Sequence, residues 1–331
     1  MRQKKIFRKT RFRTRTTASR SKTQKHRLSI CAPFIQPLDL SADVGLTHAN
    51  MNIIKSATDE TCFSLEALRK IATKWNTTHP DRAIPFDDST TGKSLWNSIN
   101  HAMSAKCSNE VCWLKQDFIK ETPLARELLK NFKPIMPKKW EANPREWLNT
   151  IDIRDVMNQY EVKHPDFEFI GPVPIDFDTK VGIGFGQCVI DELCNIKLAS
   201  QFEKGKRRIG VIFNLDKHTQ PGSHWVAMYA NFPATPALSE IAYWDSYGMR
   251  PNPEVVALMN RLKDQATTLG HNVVTKVNRK RHQYKNTECG VYCIYFLTSF
   301  LEGRAFEDIV ENIITDDKMF EKRKVFFVKA N

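Results

Sequence analysis

A dense apolar run late in the chain constrains its fold more than any other stretch. From Val291 to Leu301 nearly every residue is apolar, which predicts a helix buried on all sides rather than an amphipathic surface helix. Cys289 lies at the start of this run, directly after a polar loop. The free N–H groups and the positive dipole of a helix N-terminus favour a thiolate over a thiol. Cys289 is therefore predicted to be a nucleophile.

A thiolate nucleophile needs a base, and the base needs a group that orients it. His224 begins a strand-like segment that runs to Asn231, and Asp245 ends the next such segment. Short loops join these segments, which predicts an antiparallel meander with His224 and Asp245 at one sheet edge. Asp245 is then placed to hold the imidazole in the tautomer that accepts the thiol proton. Gln283, six residues before Cys289, is predicted to donate a side-chain N–H to the oxyanion.

Four motifs occur in an order that resembles a known family. They are His224-Trp225, Trp244-Asp245-Ser246, Gln283 and Glu288-Cys289-Gly290-Val291. This set resembles the adenain and ubiquitin-like-protein protease superfamily, which includes the SUMO-deconjugating enzymes. Three further segments are most similar to the core-protein-processing proteases of large cytoplasmic DNA viruses: Pro172 to Phe177, Asn214-Leu215-Asp216 and Gly222 to Trp225. The resemblance covers roughly residues 165–300, and the shared order makes it specific.

The resemblance implies an α+β fold: a papain-like or adenain-like cysteine protease domain with a central, mostly antiparallel sheet flanked by helices. It also implies a cysteine endopeptidase that cleaves after small, Gly-Gly type sequences and matures viral structural polyproteins in the virion or the host cytoplasm. Deconjugation of SUMO or another ubiquitin-like modifier is the alternative within the same chemistry. No cofactor or metal is expected. Trp225 and Trp244, beside the predicted catalytic pair, are expected to wall a channel that binds only narrow substrates.

Most of the net charge of +13 lies in the first residues. Twelve Lys or Arg and no acidic residue lie between Met1 and Arg27, so the rest of the chain is nearly neutral. This composition predicts a disordered basic tail over residues 1–32. The tail is either a solubilising extension or a contact to DNA or another polyanion, and counterion release favours the polyanion. A DNA-binding structural protein with an inactive protease fold, located in the nucleus, is therefore a further alternative.

Two folded regions are predicted after the tail. Residues 33–120 are predicted to form a small helical module, with Ser64 as the cap of its first long helix. Residues 121–331 are predicted to form the protease domain. Its expected elements are short helices begun at Thr122, Asn143 and Asp152, an edge strand from Phe167, strands over 208–215, 224–231, 241–245 and 273–277, and helices over 187–199 and 252–269.

Other reactive side chains are predicted to be structural. His101, Cys107 and Cys112 lack a short Cys-x-x-Cys spacing, so buried thiols are favoured over a zinc site. The eight cysteines are irregularly spaced and no apolar signal segment begins the sequence, so reduced thiols in a cytosolic or nuclear setting are expected. No run of eighteen apolar residues exists, and no membrane partner is expected.

Two side chains compete with the predicted nucleophile and base. Cys188, after Gly186-Gln187, resembles a papain-like nucleophile at a helix start. The papain arrangement has its oxyanion glutamine several residues before the cysteine, and the stretch from Thr179 to Gly186 contains none. His282 is an alternative base that lacks an acidic partner nearby in the sequence. Cys293, one helical turn after Cys289, is predicted to be buried in the core.

Overall fold

The architecture comes from a computed structural model that describes residues 29–36, 38–39, 60–182, 186–234 and 238–329. Most of the predicted basic tail, residues 1–28, therefore lies outside the described residues, as do residues 183–185 of the glycine-rich turn. Within the described ranges, no helix combines the length and the apolar character needed to cross a membrane.

Helices dominate the first half of the described chain. Two short strands, β1 (Leu38–Asp39) and β2 (Glu60–Thr61), pair antiparallel. The helices that follow are α1 (Leu65–Thr78), a 3₁₀ turn (Pro80–Arg82), α2 (Gly92–Met103), α3 (Glu110–Trp113), α4 (Pro123–Leu129), α5 (Lys139–Ala142) and α6 (Thr150–Lys163).

Several of these helices begin at side-chain caps. Ser64 caps α1 as predicted, because its Oγ accepts a hydrogen bond of 3.1 Å from the N–H of Ala67. The prediction of Asp152 as a cap is wrong. Asn149 is the N-cap of α6, and Asp152 accepts the Asn149 N–H in a capping box. The prediction of a helix starting at Asn143 is also wrong, since Asn143 ends α5.

A first hydrophobic cluster is built from residues between Cys31 and Phe132, with Val328 added from the far end of the chain. One carboxylate lies inside it: Glu110 is buried and accepts hydrogen bonds from the Trp96 indole at 2.6 Å and the Cys62 N–H at 3.2 Å. Burial raises the pKa of Glu110. The helical module at 33–120 and its limits stay a prediction.

A five-stranded sheet forms the centre of the second half of the chain. Its strands, in spatial order, are β3 (Phe167–Pro174), β6 (Arg208–Asn214), β7 (Trp225–Asn231), β8 (Ser239–Trp244) and β9 (Val273–Val277). The three central strands pair antiparallel, as predicted, and each edge strand runs parallel to its neighbour. The short strands β4 (Lys180–Val181) and β5 (Gln187–Cys188) form a separate antiparallel pair.

Helices cover both faces of this sheet. They are α7 (Asp191–Cys194), α8 (Leu198–Glu203), α9 (Pro253–Thr268), α10 (Cys289–Leu301), α11 (Phe306–Glu311) and α12 (Asp316–Phe326). Alternation along the strands separates two cores. In β7, Val226 and Met228 pack with α9 residues, whereas Ala227 and Tyr229 pack with α10.

The prediction that the apolar run forms a helix buried on all sides is confirmed. Every residue of α10 is buried, so the helix has no solvent face and is held on all sides by β7, α6, α11 and α12. Its first residue is Cys289.

Two expectations fail in this half of the chain. The predicted helix over 187–199 is wrong, because β5, α7 and α8 divide that segment. The expectation of reduced thiols is wrong for six of the eight cysteines, since folding brings them together in pairs. These disulfides are Cys31–Cys62, Cys107–Cys112 and Cys188–Cys194, and Cys289 and Cys293 are free.

Candidate active site

His224 and Asp245 meet at one edge of the sheet. The antiparallel register pairs Ala227 of β7 with Trp244 of β8, so the residue before β7 and the residue after β8 lie close together. Nε2 of His224 is 2.8 Å from Oδ1 of Asp245. Asp245 is buried, and the N–H of Tyr247 also donates to its Oδ1 at 2.8 Å. The carboxylate therefore fixes the direction of the imidazole ring.

The loop that carries His224 is held by its own polar side chains. Oδ1 of Asn214 accepts hydrogen bonds from the N–H groups of Asp216 and Ser223 at 2.9 and 3.2 Å. Asp216 in turn accepts from the Ser223 hydroxyl at 2.6 Å. The N–H of Leu215 donates to the His224 carbonyl at 2.9 Å. These bonds close the loop between β6 and β7 and set the position of His224.

Cys289 lies at the first turn of α10, where backbone N–H groups have no partner within the helix. The thiol is nearly enclosed, with 2% of the residue exposed. Gly290 allows this close packing, since a Cβ there would lie 3.0 Å from Cβ of Leu148 and 3.3 Å from Cδ1 of Trp225. A larger residue at 290 would push the segment before α6 and β7 away from the thiol.

His224 is in contact with both neighbours of the predicted triad. Burial disfavours its charged form, but the hydrogen bonds and negative charges of Asp245 and Cys289 outweigh burial and raise the pKa of His224 to about 9. Because Nε2 is bonded to Asp245, Nδ1 is the nitrogen left for the thiol. This geometry stabilises the imidazolium form of His224 next to the Cys289 sulfur, which is the arrangement in which a histidine activates a cysteine nucleophile.

Gln283 presents a free amide donor next to Ser246, the residue that follows Asp245. The side chain is fully buried, and its Oε1 accepts a hydrogen bond of 2.6 Å from the hydroxyl of Ser246. Nε2 has no hydrogen-bond partner among the described residues. An unpaired buried N–H is costly unless a ligand supplies the acceptor. The amide NH₂ group of Gln283 is therefore free to donate a hydrogen bond to a substrate oxygen.

Sequence reasoning gave no role to two residues of the site: Ser246, which was quoted only as part of the motif Trp244-Asp245-Ser246, and Tyr247. The Tyr247 ring stacks on the imidazole of His224 with centroids 4.7 Å apart, and its hydroxyl donates to the Lys285 carbonyl at 3.2 Å. Burial, together with the charge of Cys289, raises the pKa of Tyr247. One feature of the sequence could have indicated a role for Ser246 and Tyr247. They directly follow Asp245 at the end of a predicted strand, beside the predicted catalytic pair.

A buried ion pair supports the helix start. Glu288, the residue before Cys289, is fully buried and accepts a hydrogen bond of 2.8 Å from Nε of Arg323 in α12. The guanidinium also lies over the Trp140 ring, 4.6 Å from its centroid. The pair thus ties the start of α10, where Cys289 lies, to α12.

The alternatives to this site are not in position. Cys188 is bonded to Cys194 and is not a free thiol. Nε2 of His282 is 3.0 Å from the Val310 carbonyl, and burial lowers the pKa of this histidine. Cys293 is fully buried as predicted, which raises the pKa of its thiol well above the usual value.

The two predicted tryptophans differ in their surroundings. Trp225 lies beside Gly290, and its indole donates to the Leu148 carbonyl at 3.1 Å. The prediction that Trp244 walls a channel is wrong. Strand alternation turns Trp244 into the core, where it has no exposed surface and stacks on Phe296 at 5.2 Å.

The alternative of a zinc site at His101, Cys107 and Cys112 is also excluded by the structure. Cys107 and Cys112 are joined in a disulfide, and His101 is exposed. Over the part of the chain that the structure describes, no group of three or more His, Cys, Asp or Glu is placed to hold a metal ion.

A family model and two similar proteins agree on the kind of protein that this chain resembles. The profile of the Ulp1 protease family, C-terminal catalytic domain, matches residues 204–330. The chain is 30% identical over 286 residues to a protein of Acanthamoeba polyphaga mimivirus named a "putative thiol protease", covering 81% of this chain and 89% of that protein. It is 25% identical over 261 residues to a cysteine protease of African swine fever virus, covering 74% of this chain and 93% of that protein.

A solved structure shares the fold. The crystal structure of an African swine fever virus protease matches with a TM-score of 0.57 and 20% identity, over 91% of this chain and 96% of that one. The predicted α+β fold with a central, mostly antiparallel sheet is confirmed by this match.

Proposed function

Because this chain belongs to the Ulp1 protease family of cysteine peptidases, we propose that it cleaves polypeptides after small, Gly-Gly type sequences with His224, Asp245 and Cys289 as its triad. One observation carries the proposal. His224 lies against both Asp245 and Cys289, while the Nε2 of Gln283 is buried without a partner. These are the groups that acyl transfer to a thiol requires.

The proposed reaction begins with the transfer of the Cys289 thiol proton to His224. The thiolate attacks the scissile carbonyl carbon, and a C–S bond forms while the carbonyl oxygen becomes an oxyanion. Nε2 of Gln283 and the N–H of Cys289 stabilise that oxyanion. His224 then gives its proton to the leaving amine as the C–N bond breaks. Water, deprotonated by His224, attacks the thioester and releases the carboxylic acid product together with the thiol.

The preference for small residues is supported by the enclosure of the site. Cys289 is 2% exposed and Gln283 is fully buried, so a substrate carbonyl reaches them only through a narrow approach beside Trp225. Glycine has no side chain to obstruct that approach. Replacing the glycine nearest the cut with leucine is expected to reduce cleavage strongly, and equal cleavage of both peptides would count against the proposed specificity.

The central experiment is cleavage of a Gly-Gly-X peptide by the purified chain and two cysteine variants. Cys289→Ala is expected to remove turnover and labelling by iodoacetamide in the folded protein. Cys293→Ala is the matched control, because that thiol lies in the same helix but is enclosed by the core. Turnover that persists in Cys289→Ala would overturn the triad. Absence of turnover in the unaltered chain would favour the reading as an inactive, DNA-binding structural protein.

The proposed substrates are structural polyproteins of a virus, processed in the virion or at an assembly site in the host cytoplasm. The viral origin of the relatives supports this choice. The alternative is removal of a ubiquitin-like modifier, favoured by the name SUMO-1 cysteine protease carried by another African swine fever virus relative. SUMO and ubiquitin fusions, assayed beside polyprotein segments of equal length around a Gly-Gly site, separate the two. Faster cleavage of the folded modifiers would support the alternative.

A role for the basic tail as a contact to DNA or another polyanion is part of the same proposal. Twelve cations without an acid between Met1 and Arg27 would release counterions on binding a polyanion. Removal of residues 1–27 is expected to leave peptide cleavage intact and to abolish retention on DNA. Unchanged retention would contradict this role.

A further inference from the structure

Two loops form a surface directly beside the predicted triad. They are residues 246–252 and residues 278–287, and we call their joint surface the cationic rim. The loops touch through their backbones, since a Cβ at Gly248 would lie 2.9 Å from the carbonyl carbon of Lys280 and 3.0 Å from the Arg279 oxygen. Tyr247 of the first loop stacks on His224. The rim is therefore continuous with the active site.

The rim carries five cations and no acidic residue: Arg250, Arg279, Lys280, Arg281 and Lys285. Two of them are neutralised, because Lys280 pairs with Glu311 of α11, and Lys285 pairs with Asp317 of α12 at 2.8 Å.

The nearby acids leave the other three cations uncompensated. Asp245 is bonded to His224, and Asp316 accepts the N–H groups of the Tyr284 and Lys285 backbone at 2.9 and 3.2 Å. Across the described ranges, no carboxylate forms an ion pair with any of the three remaining arginines, all of which are exposed. They are Arg250, Arg279 and Arg281.

Aromatic rings hold one of these arginines in place. The guanidinium of Arg281 lies 4.6 Å from the Tyr284 ring centroid and 5.3 Å from that of Tyr247. Its Nε donates to the Gln283 carbonyl at 2.8 Å. Tyr284 and Met249 are exposed by 69% and 62%. Exposed Tyr, Met and Arg together are typical of a protein-binding surface, and a pre-positioned arginine loses little entropy on binding.

We propose that the cationic rim binds an acidic segment of the substrate polypeptide, a few residues from the small residues that enter the active site. The inference rests on the proposed function, because it assumes that a peptide carbonyl lies at Cys289. An extended chain advances about 3.3 Å per residue, so a carboxylate a few residues from the cut lies well beyond the thiol. Tyr247 of the rim stacks on His224, so the rim lies where such a carboxylate can reach it. Charge complementarity then raises the encounter rate and fixes the register of the substrate.

A peptide fits the rim better than a nucleic acid does. Nucleic-acid binding draws on many phosphate contacts along a track of cations, whereas only three uncompensated arginines lie here, next to the predicted catalytic histidine. Three arginines are enough to bind one or two Asp or Glu side chains of a peptide.

The test compares three Gly-Gly peptides that differ only in the flanking residues, which are acidic, neutral or basic. The variant Arg250→Gln/Arg279→Gln is chosen because neither side chain touches the triad or Gln283. The unaltered chain is expected to cleave the acidic peptide about tenfold more efficiently in kcat/KM than the neutral one, mainly through KM. That preference should shrink at high salt.

The double variant is expected to lose the preference while cleaving the neutral peptide as before. Charge reversal, Arg250→Glu/Arg279→Glu, should favour the basic peptide. Lys263→Gln is the matched control, because Lys263 lies on α9, across the sheet from α10.

Failure of this inference is distinguishable from failure of the proposed function. A chain that cleaves all three peptides equally overturns the rim and keeps the protease. For a chain without turnover, anisotropy of the labelled peptides on Cys289→Ala still measures the rim, and equal binding of acidic and neutral peptides overturns it. Binding of a single-stranded oligonucleotide that the double variant loses, with peptide preference unchanged, overturns it in favour of nucleic acid.

Discussion

The hydroxyl of Ser246 donates a hydrogen bond of 2.6 Å to Oε1 of Gln283, and both side chains are fully buried. This bond decides which end of the amide is left without a partner. With Oε1 engaged by Ser246, the NH₂ group points away from the serine and keeps its donors free. In the proposed mechanism, Ser246 is a positioning residue that acts through Gln283.

Removal of the Ser246 hydroxyl tests this relationship. Ser246→Ala is expected to lower kcat about tenfold with little change in KM, because the amide then samples orientations that do not reach the oxyanion. In a Gln283→Ala background, itself lower in kcat by roughly 10²–10³-fold, the same change should have no further effect. Ser239→Ala is the control, since Ser239 is also fully buried in β8 but bonds to His271. Additive losses in the double variant would contradict the coupling.

The pH dependence follows from the raised pKa of His224. A group whose folded-state pKa is raised from 6.5 to about 9 contributes stability that is fully present below pH 6.5 and lost as the pH rises through about 9. The imidazolium is also needed to protonate the leaving amine, so kcat/KM should fall on the alkaline side near the same pH.

Two variants identify the group whose titration causes the fall of kcat/KM at alkaline pH, called the alkaline limb. Asp245→Asn is expected to move it to lower pH, because one of the charges that stabilise the imidazolium is lost. Tyr247→Phe should leave the limb in place and so exclude the tyrosine hydroxyl as its source. A limb that does not respond to Asp245→Asn would show that another group titrates.

The Glu288–Arg323 pair should be worth more to stability than the surface pair beside it. Arg323→Met is expected to lower the free energy of unfolding by about 3 kcal/mol, since the buried Glu288 carboxylate loses its hydrogen-bonded partner and keeps only the ion pair with Arg145 at 3.7 Å. Urea denaturation measures the change. Lys324→Ala, which removes a pair with Glu321 whose side chains are 54% and 57% exposed, is expected to cost less than about 1 kcal/mol. Equal costs for the two variants would exclude a role for burial.

The disulfides predict a specific count of thiols. Protein denatured without reductant should take up two alkyl groups, at Cys289 and Cys293, and eight after reduction, as the sequence contains eight cysteines. Mass spectrometry reads both numbers. Eight labels without reductant would restore the interpretation as reduced thiols. Loss of the Cys31–Cys62 bond, whose partners are 31 residues apart, is expected to cost about 3–4 kcal/mol of stability.

The main parts of the site were predictable because each lies at the boundary of a strongly patterned element. The meander placed His224 and Asp245 at one edge, and the apolar run placed Cys289 at a helix start. Ser246 was not predictable in this way. Its partner lies 37 residues along the chain, and a serine after a strand is otherwise an ordinary turn residue.

The wrong predictions for Trp244, the cysteines and the segment 187–199 have two physical causes, which are strand alternation and tertiary contact. Trp244 was placed near substrate because of its neighbour Asp245, yet the period of two along a strand turns adjacent side chains to opposite faces. Cys31 and Cys62 are 31 residues apart in the sequence and come together within the first hydrophobic cluster. The segment 187–199 has helix-forming residues, but pairing of β5 with β4 and the bond between Cys188 and Cys194 divide it.

The complete enclosure of α10 has a consequence for how such an enzyme changes its preferences over time. A nucleophile at the start of a helix without a free face has a fixed position, since any shift of the helix would disturb the packing of neighbours on every side. Adaptation to new cleavage sequences is left to the surrounding loops. Lineages that acquire new substrates should therefore accumulate replacements at positions such as Met249, Arg250 and Tyr284, and keep the residues of α10 almost unchanged.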